Sequence, residues 1–304
     1  MRILALFGPT AVGKTGVAIA VAERLREQGE DPVAVNCDSI QVYRGLETLS
    51  GAATAEERTA LEHRLLSFVE PGEEFSAGRY AEAAHAEIDA LLAVGRRPIV
   101  VGGTGLYLRA ALADLDLRPP VPRDIREEVE DEIAERGAEA LHAELVPELA
   151  ANVDPNDSKR VARLTELARA GIEAAAGAEG MWTADLRHPT LLVGLTIDRE
   201  RLAERIDRRV DEMIDAGAAE EARAALEAGP SRTARAALGF EQLVADIDAA
   251  PSAEAIGSIK AAHRAYTRRQ LTWMRRMEGV ELIDRTDRDD GDVAAEISDR
   301  LGPE

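Results

Sequence analysis

Apolar and polar positions fall along this chain in two alternating patterns. Short apolar runs at 2–7, 33–37, 98–101, 191–197 and 281–284 read as strands. Between them lie longer tracts with apolar residues at helical spacing, at 14–27, 78–94, 199–226 with a break near Gly217, and 252–277. Strands that alternate with helices predict an α/β fold, a parallel sheet core flanked by helices, with ligands received at the carboxyl ends of the strands. The proline-rich stretch Leu117 to Pro122 marks a boundary. Beyond it, 123–149 and 157–176 read as charged helices, too polar on one side to cover a sheet. The chain is therefore expected to hold a core at 1–117 and 183–304 and a mainly helical insertion at 118–182. The tail, Arg285 to Glu304, reads as peripheral.

Composition narrows the picture. With 304 residues, 45% hydrophobic and only 3% aromatic, the core must be built mainly of Ala, Leu, Val and Ile. No apolar stretch approaches the roughly 20 residues that span a bilayer, and the N-terminal apolar run is broken at Gly8, unlike a signal peptide. A cytoplasmic monomer with no membrane partner is expected. The single cysteine, Cys37, excludes an intramolecular disulfide and offers no metal-site spacing. A net charge of −20 argues, as an average, against nucleic acid as a partner. The distribution disagrees with the average: residues 123–150 carry ten acids against three bases, whereas 259–277 carry six bases and no acid. Such a window can face an anion even on an acidic protein. Lysine occurs only at Lys14, Lys159 and Lys260, which fits either a GC-rich genome or adaptation to salt.

The chemistry begins where the first strand ends, at Gly8-Pro9-Thr10-Ala11-Val12-Gly13-Lys14-Thr15. In this spacing the glycines let backbone N–H groups wrap a phosphate, Lys14 adds a point charge, and Thr15 can hold a magnesium ion. A strand before the loop and a helix after it are the setting the motif requires. Two further strand ends carry Asp38-Ser39 and Gly102-Gly103-Thr104-Gly105, so three loops converge on one crevice. A nucleotide-hydrolysing loop of this kind usually works beside a strand ending in an acid that organises magnesium. Here the strand 98–101 ends in glycine, and the acid sits at Asp38, placed to organise magnesium or to accept a proton. A turn or helix-capping acid is the plainer reading of Asp38. These residues point to group transfer with a diphosphate or a nucleotide and do not name the substrate.

Five separated blocks resemble, in order, those of the tRNA dimethylallyltransferase family. They are the Gly8–Thr15 loop, Asp38-Ser39-Ile40-Gln41-Val42-Tyr43-Arg44-Gly45, His63-Arg64-Leu65-Leu66, Gly102-Gly103-Thr104-Gly105-Leu106-Tyr107 and Arg269-Gln270-Leu271-Thr272-Trp273. The resemblance extends over nearly the whole chain. It implies a P-loop NTPase-like core and transfer of a dimethylallyl group from dimethylallyl diphosphate to N6 of the adenine 3′-adjacent to a tRNA anticodon. The loop would then hold a prenyl diphosphate, with Mg2+ at Thr15, and Asp38 would take the proton from the exocyclic amine or orient it. Thr104 would position the amine or a diphosphate oxygen, and Lys14, Arg205 and Arg209 would offset charge on the departing pyrophosphate. Arg205 and Arg209 are four apart and share a helix face, whereas Arg201 and Arg208 read as a solvated charge face.

Recognition of an anticodon stem-loop needs arginines for phosphates and flat side chains for stacking. The resemblance places RNA contacts at Asp38, Ser39, Ile40, Gln41 and Gly105, at Arg126, Lys159, Arg160, Val161, Ala162 and Arg163 of the insertion, at Arg235 and Gly239, and at Arg264, Arg268 and Arg269 of the basic helix. Trp273 reads equally as a helix-docking or a base-stacking side chain. The chain departs from the family pattern at Ala52, Thr165 and Glu241, mostly on the side where the resemblance places RNA. Two other readings share the loop: prenyl transfer to free adenine nucleotides, and a small-molecule P-loop kinase. A nucleotide-binding module without catalysis is a third.

Overall fold

The computed structural model describes residues 1–115, 117, 121–151, 153–172, 185–245 and 250–302. Six strands, β1 (Ile3–Phe7), β2 (Pro32–Asn36), β3 (His63–Arg64), β4 (Arg97–Gly102), β5 (Thr190–Thr196) and β6 (Glu281–Asp284), form one parallel sheet in the order β3-β2-β4-β1-β5-β6. The helices in the first half are α1 (Lys14–Glu27), α2 (Glu47–Ser50), α3 (Ala55–Ala60), α4 (Ala77–Ala93) and α5 (Gly105–Leu112). The insertion contributes α6 (Arg123–Arg136), α7 (Ala138–Glu144), α8 (Pro147–Ala150) and α9 (Ser158–Arg169). After β5 come α10 (Arg199–Asp215), α11 (Ala218–Glu227), α12 (Arg232–Arg235), α13 (Phe240–Val244), α14 (Ala253–Arg276) and α15 (Asp290–Leu301).

Strand β1 is buried at every position because it lies mid-sheet, between β4 (Leu4 opposite Ile99) and β5 (Leu4 opposite Leu191). A parallel strand covered on both faces reads as a continuous apolar run rather than an alternation. Leu4, Leu6, Ile99, Leu191 and Val193 share a core with Val17, Val21 and Leu25 of α1 and with Val293, Ile297 and Leu301 of α15. That last helix overturns the expectation of a peripheral tail. Its apolar residues recur at i, i+4 and i+8, one face of a helix, while Asp299 is exposed and Glu296 pairs with Arg288 and Arg300. The two-residue strand β3, which pairs Ala34 with His63, is too short for periodicity to reveal.

The chain divides into two compact units, Met1–Leu115 with Met181–Glu304, and Asp116–Gly180. In the second unit the single helix expected over 123–149 is three. Gly137, with φ of 81°, ends α6, and Pro147 sits at the first turn of α8, where its missing N–H costs nothing. Its core is Val129, Leu141, Val161 and Ala162. Helix α9 is capped by Asp157, whose side chain accepts from the Arg160 amide, and ends at Arg169. Residues 118–120 of the proline-rich boundary and 173–176 of the expected second helix lie outside the described residues.

The carboxyl ends of β2 and β4 are tightly apposed. A Cβ added to Gly102 would overlap the Cys37 carbonyl oxygen, which is backbone and cannot swing aside. Gly102→Ala is expected to destabilise the fold by about 2 kcal/mol. Urea unfolding checks this, and a wild-type midpoint would mean that the strand ends have room to spare.

Candidate functional site

Strand β1 delivers the chain to Gly8, and the loop turns through two left-handed residues, Ala11 (φ 64°) and Gly13 (φ 94°), before α1 starts at Lys14. The first amides of a helix have no preceding carbonyl to bond and carry the positive end of its dipole, so this loop and turn form an anion site. Lys14 Nζ donates to the carbonyls of Gly8 and Pro9, both at 3.0 Å. Burial pulls its pKa down to about 8, against a partly offsetting pull from Asp38. Thr15 follows at the second helical position, half-buried.

Beyond β2, the Asn36 side chain accepts from the Asp38 amide at 3.2 Å, and Asp38 Oδ1 accepts from the Ile40 amide at 3.0 Å. Asp38 thus closes a turn, as the plainer reading of this acid required, and it also lines the cleft that holds Lys14, Gln41 and Arg209. Past β4, Thr104 Oγ1 accepts from the Ser39 amide at 3.3 Å and lies 3.4 Å from the Tyr266 hydroxyl. Three strand-end loops therefore meet.

A fourth element stitches them. Gln270 on α14, 4% exposed, accepts from the Thr10 amide at 2.9 Å and donates to the Gly103 carbonyl at 2.7 Å. Gln270 lies within the Arg269–Trp273 block, but nothing in its spacing assigns it this tether. Trp273, one turn on, packs its ring over Gly105, where a Cβ would overlap it, so this side chain docks α14 on the start of α5.

Arg205 and Arg209 do share a face of α10. Arg209 Nη2 donates to the Gly51 carbonyl at 2.9 Å, and burial lowers its pKa. Arg205 Nη1 reaches the Val12 carbonyl at 3.5 Å. Arg201 and Arg208 pair outward with Asp287 and Glu212, at 2.6 and 3.7 Å. Sequence reasoning missed Arg285, which follows β6 at the same edge of the sheet and is 5% exposed. Its Nη1 donates to the carbonyls of Val12 and Gly13, at 2.9 and 3.2 Å.

The residues expected to meet RNA are scattered in character. Ser39, Ile40 and Gln41 are half-buried at the cleft, and Arg268 and Arg269 are exposed on α14, with the Arg269 guanidinium 5.4 Å from the Tyr266 ring centre. The rest of the basic window is less available than its charge suggests. Lys260 is held by Asp211 at 2.6 Å and Arg264 by Asp207, both acids of α10. Arg235 forms a two-pronged pair with Glu241, at 2.9 and 3.0 Å. Gly105 and Gly239 are buried. In the insertion, Lys159 and Arg160 are exposed at the start of α9, Arg126 is half-buried on α6, and Arg163 bonds Glu166 at 3.1 Å. Val161 and Ala162 turn inward: they fill the core of that unit, Val161 fully buried and Ala162 7% exposed.

The model of the family described as IPP transferase matches residues 41–277. The chain belongs to the IPP transferase family. A tRNA dimethylallyltransferase of Anaeromyxobacter dehalogenans is 42% identical over 93% of this chain and 95% of its own length. One from Geobacillus kaustophilus is 38% identical over 98% and 94%. The crystal structure of the full-length tRNA isopentenylpyrophosphate transferase of Bacillus halodurans superposes with a TM-score of 0.71, at 32% identity and with 99% and 95% of the two chains covered. The sheet and loop are accordingly the P-loop NTPase-like core of this family. Among the described residues no helix is long and apolar enough to cross a membrane, and no three His, Cys, Asp or Glu side chains gather as a metal site.

Proposed function

We infer that this chain transfers a dimethylallyl group from dimethylallyl diphosphate to N6 of the adenine 3′-adjacent to the anticodon of tRNA, as a cytoplasmic monomer. The observation that carries the reading is a single cleft lined by Lys14, Asp38 and Arg209 in which the end of β4 supplies Gly102 and Gly103 and no acid. Such a cleft suits a diphosphate that leaves better than a nucleotide that is hydrolysed.

In this reading the loop amides, Lys14 and Arg209 take up negative charge as the allylic C1–O bond breaks and pyrophosphate departs with the bonding electrons. The N6–C1 bond forms, and the amine proton passes to the Asp38 carboxylate, already fixed by the Ile40 amide. Thr104, held between Ser39 and Tyr266, orients the amine. Thr15, the loop residue whose hydroxyl is a hard oxygen donor, is the side chain that would hold Mg2+. Bound there, Mg2+ would screen charge on the leaving group. Lys159 and Arg160 of the insertion and Arg268 and Arg269 of α14 are the cations offered to RNA, whose target base must leave its stack to enter the cleft.

The test supplies labelled dimethylallyl diphosphate with unmodified tRNA, AMP or ATP as acceptor. Label is expected on tRNA. Label on AMP and not on tRNA would move the enzyme to free nucleotides, and ATP hydrolysis without transfer would make it a kinase-like protein.

A further inference from the structure

We propose that Arg285 is a positioning residue for the diphosphate, a clamp behind the loop that aims the loop's amides into the cleft. The inference rests on the reading of that loop as a diphosphate site. A trans peptide directs the carbonyl of one residue and the N–H of the next to opposite sides. No peptide bond here is cis. Arg285 Nη1 draws the carbonyls of Val12 and Gly13 to its own side, at 2.9 and 3.2 Å. The N–H groups of Gly13 and Lys14 are thereby turned the other way, as a bound anion requires. A flexible glycine at φ 94° does not fix those two planes by itself. The Val17 amide of α1 also donates to the Gly13 carbonyl, at 3.2 Å, so Arg285 Nη1 supports the helix at that plane and, with Arg205 behind it, is the main hold on the Val12–Gly13 plane.

The clamp is itself held. Arg285 Nη2 pairs with Asp290 Oδ1 at 2.9 Å, and its side chain is 6% exposed. Asp290 is the first residue of α15, so the loop is braced by the helix whose apolar face lies on α1. Gly13 leaves room for the fork: a Cβ there would overlap Arg285 Nη1. Arg205 shares the Val12 carbonyl, and the two guanidiniums repel one another. An arriving anion relieves that repulsion. Arg285 is nearly buried and does not line the cleft, so it acts on the diphosphate through the amides and not by contact.

Calorimetric titration of inorganic pyrophosphate into wild type, Arg285→Ala, Arg285→Lys and Asp290→Asn tests this, with thermal melting and tRNA binding measured alongside. Arg285→Ala is expected to weaken pyrophosphate about tenfold. Arg285→Lys, whose shorter stem brings one ammonium in place of a guanidinium that serves both carbonyls through Nη1 and Asp290 through Nη2, is expected to recover only part of the loss, and Asp290→Asn to show a smaller one. The KM for dimethylallyl diphosphate should rise in parallel while the KM for tRNA stays at the wild-type value. Should Arg285→Ala fail to fold, the lysine and asparagine variants carry the comparison. Variants that melt lower but bind pyrophosphate as tightly as wild type would reduce Arg285 to a structural strut and overturn the proposal. Wild type that does not bind pyrophosphate at all would instead overturn the diphosphate reading beneath it.

Discussion

Asp38→Asn is expected to lower kcat for prenyl transfer by about two to four orders of magnitude, the usual worth of a placed general base, while tRNA affinity is unchanged. The asparagine side chain retains the oxygen that accepts from the Ile40 amide, so the turn and the loop that follows keep their shape. What is lost is the carboxylate that takes the amine proton. Asp38→Ala removes the turn bond as well, and should add a loss of tRNA affinity through Ser39 and Gln41 only if those residues depend on the turn for their placement. Single-turnover rates at saturating tRNA and diphosphate, with filter binding of tRNA, separate the two effects. Normal turnover with weakened tRNA binding would remove Asp38 from the chemistry. The substitution has a second signature. Asp38 raises the pKa of Lys14, so its neutral replacement should move the alkaline limb of the pH profile to lower pH.

The second large effect concerns Lys14 itself. Lys14→Ala is expected to cut kcat/KM for the diphosphate by about 10²–10³-fold, as for removal of one strong donor from a developing anion. In wild type the same constant should fall as pH rises through about 8, because kcat/KM reports the free enzyme and the buried ammonium loses its proton there. A bound diphosphate favours the charged lysine, so kcat should hold level to higher pH than kcat/KM. A flat kcat/KM through that region would mean that Lys14 does not carry the diphosphate. Stability moves oppositely. The folded chain releases this proton near pH 8 and the unfolded chain only near 10.5, so the unfolding free energy rises with pH across that window. Lys14→Met should abolish that part of the slope.

Much of this architecture was written in local pattern. The buried strands are apolar runs, and the loop from Gly8 to Thr15 announces itself by spacing. Where expectation and structure part, the cause is tertiary. Helix α15 carries a readable apolar face, but only its packing on α1 shows that the face belongs to the main core. The bases of α14 look free in sequence. Two of them are taken by Asp207 and Asp211, acids that stand about fifty positions earlier and that no local window joins to them. Val161 sits among arginines and lysine, yet the helical period turns it inward. Gln270 and Arg285 act on a loop more than two hundred and fifty residues away, through backbone atoms that carry no residue signature.

That last distance bears on how the protein is made. The carbonyl of Gly13 and the guanidinium that holds it are 272 residues apart, and β1 finds its β5 neighbour only after the whole insertion has been passed. During synthesis from the N-terminus the anion-binding loop therefore leaves the ribosome well before the residues that brace it and waits, unbraced, for them to follow. A nascent chain halted before residue 285 holds the signature motif without a finished cradle. Competence to bind the diphosphate arrives late, with the completed sheet.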